Sequence, residues 1–188
     1  MSYRAKVLKV FIASPDDVQK EREIVKSVLM RWNSINAETK GIVLLPVGWE
    51  THAAPELGRT AQEYINEEVL DKCDILIGIF WTKLGSPTKI SSSGTVEEIE
   101  RHLSERKLAM LYFSEKSIPN NADLNQIRKL RSFKTQIRGK ALYGEFTNEY
   151  DLENKLYNHL QIKIEEGKFR PTHDSDILAS IKDDKEKN

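Results

Sequence analysis

Cysteine is nearly absent: the 188 residues hold a single one, Cys73, so no internal disulfide can form. A fold held by its core alone, in a reducing compartment, is the expectation, with Cys73 as a small core residue. Net charge is absent too. Twenty-nine Lys and Arg balance 29 Asp and Glu, so no global field draws the chain to nucleic acid, an anionic membrane or an acidic substrate. Any electrostatic function must be local. No apolar run approaches the roughly 18 residues of a membrane span, and Met1 to Lys6 lacks the apolar region of a signal peptide, so a cytoplasmic protein is expected. Neither G-x-G-x-x-G nor G-x-x-x-x-G-K-[ST] occurs, which argues against a Rossmann dehydrogenase and a P-loop ATPase. His52, His102, His159 and His173 lack metal-ligand spacing, so no metal site is expected, and no G-x-S-x-G elbow supports a serine hydrolase.

What is present is a core. Apolar residues make up 39% of the chain, enough for one domain, with residues 1–166 as the domain and 167–188 as a polar tail or linker. Short apolar runs at Val7 to Ala13, Ile42 to Val47, Ile75 to Trp81 and Leu108 to Phe113, with a weaker one at Ala141 to Phe146, alternate with segments of helical period. Continuous apolar strands are those buried on both faces, and their alternation with helices implies βαβ units around a parallel sheet.

Helices are expected from Pro15 to about Ile35, Thr60 to Asp71, Thr95 to Arg106, Ala122 to Arg138 and Glu149 to Ile164. The first should be capped by Ser14, with Pro15 at its first position and Val18, Val25, Val28, Leu29, Trp32 and Ile35 as its apolar stripe. Pro46 removes a ladder donor and suits an edge strand. The fold class is therefore α/β, flavodoxin-like, a three-layer domain with a mainly parallel five-stranded sheet of order 2-1-3-4-5. Glu50 to Arg59 reads as a loop above it.

Ligands of such sheets bind beyond the carboxyl ends of the strands. Three segments converge there: Ser14 to Asp17, Trp49 to His52, and Trp81 to Glu98. The last follows the most apolar strand through a Gly-, Ser- and Thr-rich exit that admits a ligand close to backbone, then opens a helix at Ser93-Gly94-Thr95-Val96-Glu97-Glu98. A carboxylate at this turn can stabilise, or attack, the oxocarbenium-like carbon of a breaking N-glycosidic bond. The structural alternative is a capping box, Thr95 capping and Glu98 reaching back to its amide.

Asp16 and Asp17 resemble the acidic pair of receiver domains, but Asp74 begins its strand rather than ending it, so a helix start dressed with acids is the preferred reading. Arg128, Lys129, Arg131, Lys134, Arg138 and Lys140 lie opposite an apolar stripe of Leu124, Ile127, Leu130 and Ile137. A solvated face is the simple reading and a partner or nucleic-acid patch the sharper one. Phe133 is the sole aromatic interleaved with these cations, so nucleic acid is not expected.

The stretches Val10 to Val18 with Glu21-Arg22-Glu23, Asp74 to Trp81, Leu84 to Thr88 and Ser93 to Glu100 together resemble a TIR-like domain family of unknown function, over roughly Leu8 to Ile164. That family is bacterial, often placed ahead of NACHT or helical-repeat modules, and looks related to TIR domains and nucleoside deoxyribosyltransferases. The resemblance implies cleavage of the N-glycosidic bond of NAD or a related nucleotide in defence signalling, with NAD as substrate rather than cofactor. A non-catalytic module binding a nucleotide signal or a protein partner is the alternative. Gly94-Thr95-Val96-Glu97-Glu98 matches the G-T-x-x-E pattern of the transferases with Glu98 as nucleophile and Glu97 in reserve, and Ser92 stands where those enzymes usually have Asp. By the same analogy Ser14 and Asp16 line the pocket, Trp81 walls it and Gln62 reaches in, while self-association or a signalling partner completes the site.

Overall fold

The computed structural model describes residues 2–48, 69–88, 91, 93–138, 142–166 and 169. Within them five strands and four α-helices alternate: β1 (Lys6–Ala13), α1 (Gln19–Lys40), β2 (Ile42–Val47), β3 (Ile75–Phe80), α2 (Gly94–Ser104), β4 (Leu108–Ser114), α3 (Leu124–Arg138), β5 (Gly144–Phe146) and α4 (Glu149–Glu165). The strands form one sheet of order β2-β1-β3-β4-β5, and every pairing is parallel. This is the flavodoxin-like arrangement. Pro46 pairs with Val10 on the edge strand β2, where its missing donor is tolerated.

All six residues of β3 are buried, since helices cover both faces of the sheet. One core layer joins β1, β3 and β4 to α1 and α4 through Val25, Leu29, Trp32, Leu152 and Leu156. The opposite layer joins Phe11, Leu76 and Phe80 to Val96 and Ile99 of α2 and Leu130 and Phe133 of α3. Trp32 is wholly buried, and its indole N–H donates to Gln161 Oε1 at 2.7 Å, which links α1 to α4 and satisfies the one polar atom of the ring.

Several local expectations are corrected. Ser14 does not cap α1. Pro15 lies extended ahead of a 3-10 turn over Asp16–Val18, and α1 begins only at Gln19. Ile35 is 57% exposed, while Asn36 and Ala37 close the buried stripe. A helix over 94–104 replaces the expected 95–106, and β5 holds three residues instead of six. Leu124 leaves the apolar stripe of α3 and is 67% exposed, whereas Phe133, expected among the cations, is buried. The expected loop at 50–59, most of the helix at 60–71 and the tail at 170–188 lie outside the described residues, which include only a 3-10 turn at Leu70–Lys72 from that helix. Among the described residues no helix is long and apolar enough to cross a membrane. Cys73 is buried, and that burial pushes its thiol up to about 12.

Candidate active-site cleft

Parallel strands deliver their exits to one end of the sheet, and there the loops after β1 and β3 meet the starts of α2 and α3 around a cleft of about 500 Å³. Its wall brings together Ser14, Asp16, Gly94, Thr95 and Glu98, five of the residues anticipated from sequence. Lys83, Gly85, Ser86, Asp123 and Gln126 join them, none singled out beforehand as a site residue.

The exit of β3 is fixed from two sides. Asp17 Oδ2 accepts hydrogen bonds from the Thr82 amide (2.9 Å), the Thr82 hydroxyl (2.7 Å) and the Lys83 amide (3.1 Å), tying the β1 loop to the β3 loop. Its Oδ1 is buried with no hydrogen-bond partner among the described residues. On the other side Gln126 of α3 accepts from the Leu84 and Gly85 amides at 3.0 and 3.3 Å and donates to the Gly85 carbonyl at 3.3 Å. Gly85 has φ +114°, and a Cβ there would meet Ser93 Oγ at 2.7 Å, so both conformation and contact demand glycine.

Ser93 is the N-cap of α2. Its Oγ accepts from the Val96 amide at 3.4 Å and donates to the Leu84 carbonyl at 2.5 Å. The Thr95–Glu98 capping box does not form, because Thr95 is already the second residue of the helix and Glu98 the fifth. The competing structural role for Glu98 at the cap is therefore removed. Glu98 is 8% exposed and lines the cleft.

Its neighbour Glu97 is placed differently. Its Oε2 accepts from the Thr88 hydroxyl at 2.5 Å, and it is not part of the cleft wall. Ser93 builds the cleft without lining it, being fully buried. Trp81 does not wall the cleft either: it packs against the α1 and α4 core layer, with Lys116 Nζ 5.9 Å over its ring and its indole N–H buried without a partner. The side chain that follows a strand's last residue alternates to the other face of the sheet, and that parity decides Trp81. Gln62 lies outside the described residues.

Electrostatically, the described residues of the wall include three carboxylates, Asp16, Glu98 and Asp123, and one ammonium, Lys83. Lys83 Nζ bridges both oxygens of Asp16 at 2.9 Å. That hydrogen bond holds the Asp16 carboxyl below the usual value and raises Lys83. Asp123 accepts from the Asn125 and Gln126 amides and so caps α3. Arg22 of α1 supports the floor, donating from Nε to Ser14 Oγ at 3.0 Å and from Nη2 to the Pro15 carbonyl at 3.2 Å. Among the described residues no cluster of three or more His, Cys, Asp or Glu side chains is arranged to hold a metal ion.

Of these additional residues, Asp123 carried a legible signal as an acid ahead of a helix, and Lys83 lay in the loop already singled out. Gln126 carried none, since a glutamine inside a helix gives no hint that it reaches back to clamp a distant loop.

Among solved structures, the chain is similar to the translation elongation factor SelB from Methanococcus maripaludis in its apo form, with 12% identity and a TM-score of 0.50 over 92% of this chain and 38% of that one. The chain thus spans well under half of that protein, and the likeness concerns the fold. A conserved protein from Enterococcus faecalis V583 aligns at 15% identity and a TM-score of 0.44, over 82% of this chain and 99% of that one. No curated protein matches the chain. One family match runs over residues 9–161, from within β1 into the last turns of α4, and encloses every lining residue of the cleft; the chain belongs to that family, a domain of unknown function, DUF4062.

Proposed function

We propose that this chain is a TIR-like nucleotide-processing module that cleaves the N-glycosidic bond of NAD or a related nucleotide and serves bacterial defence signalling. The observation that carries the reading is Glu98: a carboxylate 8% exposed on the wall of a 500 Å³ cleft, in a helix whose cap is made by another residue. A buried carboxylate facing a cleft is the kind of group that chemistry recruits.

In the proposed step the bond between the ribose C1′ and the pyridinium nitrogen breaks, and its electron pair leaves with the neutral nicotinamide. Positive charge develops on C1′ and the ring oxygen. Glu98 stabilises that charge or forms a glycosyl ester with it, and water then attacks C1′, losing a proton and giving ribose at that end. The excess of carboxylates among the described residues of the wall supports the reading, because it favours a centre becoming cationic. Ser14 offers a hydroxyl to the ribose from the loop after β1 and Thr95 offers one from the first turn of α2, and the family resemblance adds self-association as the route to a complete site.

The test is nicotinamide release from NAD by concentrated protein, in wild type and Glu98→Gln. Release by wild type and its loss in a variant with an unchanged circular dichroism spectrum supports the proposal. NAD bound by both proteins and recovered intact assigns the alternative, a non-catalytic module that binds a nucleotide signal or a partner.

A further inference from the structure

Helix α3 differs from the other helices in the sign of its charges: Arg128, Lys129, Arg131, Lys134 and Arg138 share its 15 residues with no acid, in a chain whose net charge is zero. Two of the five have work within the fold. Lys134 bridges Glu115 and Glu145 at 2.6 and 2.9 Å, and Arg138 Nε donates to the Tyr143 hydroxyl at 3.2 Å. Arg128, Lys129 and Arg131 are exposed, and none of them makes an ion pair or a side-chain hydrogen bond with another of the described residues.

Arg128 and Arg131 are like charges three residues apart, a spacing that opposes helix formation rather than supporting it. Leu124, Arg128 and Arg131 follow the i, i+4, i+7 spacing that puts side chains on one stripe, and Leu124, a large apolar residue, is 67% exposed at its head. The buried side of the helix is supplied by Ile127, Leu130 and Phe133 instead. The first turn of α3 carries Gln126, and Asp123 precedes it, both in the wall of the cleft, so the stripe begins beside that wall at Leu124.

We propose that the Leu124-Arg128-Arg131 stripe is a docking surface for an acidic protein segment bearing an apolar residue, such as an amphipathic acidic helix. Its carboxylates engage the two guanidinium forks, which match carboxylate geometry bidentately, and its apolar residue covers Leu124. Charge complementarity alone would also admit a polynucleotide or an anionic bilayer. A polynucleotide offers no aliphatic partner for Leu124 and would want a stacking aromatic, but the one aromatic ring of α3, Phe133, is buried. A bilayer wants an apolar stripe, and here one leucine stands among cations.

The experiment is fluorescence anisotropy with a labelled amphipathic Glu/Leu helical peptide at low salt, against wild type, Arg128→Glu/Arg131→Glu and Leu124→Ala. Binding by wild type, loss of about tenfold or more in the charge reversal and a severalfold loss in Leu124→Ala are expected, with weaker binding of a Glu/Ser peptide. All three positions are exposed, so melting temperatures should stay near wild type; Arg128→Gln/Arg131→Gln repeats the test should the reversal fail to fold. No binding by wild type, binding unchanged in the variants, or tighter binding of a single-stranded oligonucleotide or phosphatidylserine vesicles overturns the proposal. The measurement does not involve nicotinamide release, so its outcome stands apart from that of the proposed activity.

Discussion

Two pairs of consecutive acids stand at the carboxyl end of the sheet, Asp16-Asp17 after β1 and Glu97-Glu98 in α2, and each pair is divided between scaffold and cleft. In the first, Asp17 holds the β3 exit through three hydrogen bonds while Asp16 faces the cleft. In the second, Glu97 holds Thr88 while Glu98 faces the cleft. The difference lies in water. Asp16 is exposed and tied to Lys83, whereas Glu98 is buried. Solvent screens the field of an exposed carboxylate, and withdrawal from water lessens that screening. The comparison teaches that adjacency in sequence says nothing about shared duty: a residue's partner across the loop decides it.

Breaking the Glu98 side of the comparison should have the largest effect. Glu98→Gln is expected to lower nicotinamide release by at least about a hundredfold, equivalent to some 2.7 kcal/mol of barrier, with Glu97→Gln retaining most of it. Equal losses in single-turnover rates for the two variants would erase the distinction. The next effect concerns the fold. Asp17→Ala strips three hydrogen bonds from the β3 exit and should lower stability by about 1–3 kcal/mol in urea titration, against less than about 0.5 kcal/mol for Asp16→Ala.

A smaller loss, about 1 kcal/mol, is expected on removing the true cap of α2 by Ser93→Ala, with Thr95→Ala clearly milder by the same measurement. If the threonine change proved the costlier, the capping box would be restored and Glu98 returned to a structural role. The smallest effect separates the exposed carboxylate from the rest. Asp16 is held below its ordinary value in the folded state, so its contribution is present above about pH 4 and is lost as pH falls through the lowered value. Lys83→Gln should move the Asp16 carboxyl-carbon NMR titration upward, and a titration that stays in place would mean that Lys83 is not its cause.

Much of the architecture was legible because it follows from periodicity. β2 was bounded as it is found, β3 to one residue, and Pro46 marked the sheet edge through its missing donor. Helix starts were less legible. The Ser14-Pro15-Asp16 signature was read as a cap, yet Arg22 claims the Ser14 hydroxyl and the chain turns through a 3-10 segment first. Ser93 and Thr95 both suit a cap, and local sequence does not rank them. The Leu84 carbonyl and the space beside Gly85 do.

The sequence by itself determined the α/β class, the strand order, the end of the sheet where a cleft would open and the turn that would line it, because alternation, apolar runs and chain connectivity are local or topological properties. Only the tertiary structure decided which acid of each pair enters the cleft, and that Gln126 and Lys83 complete the wall. Those outcomes depend on hydrogen bonds between residues nine to 67 positions apart, which no pattern along the chain encodes.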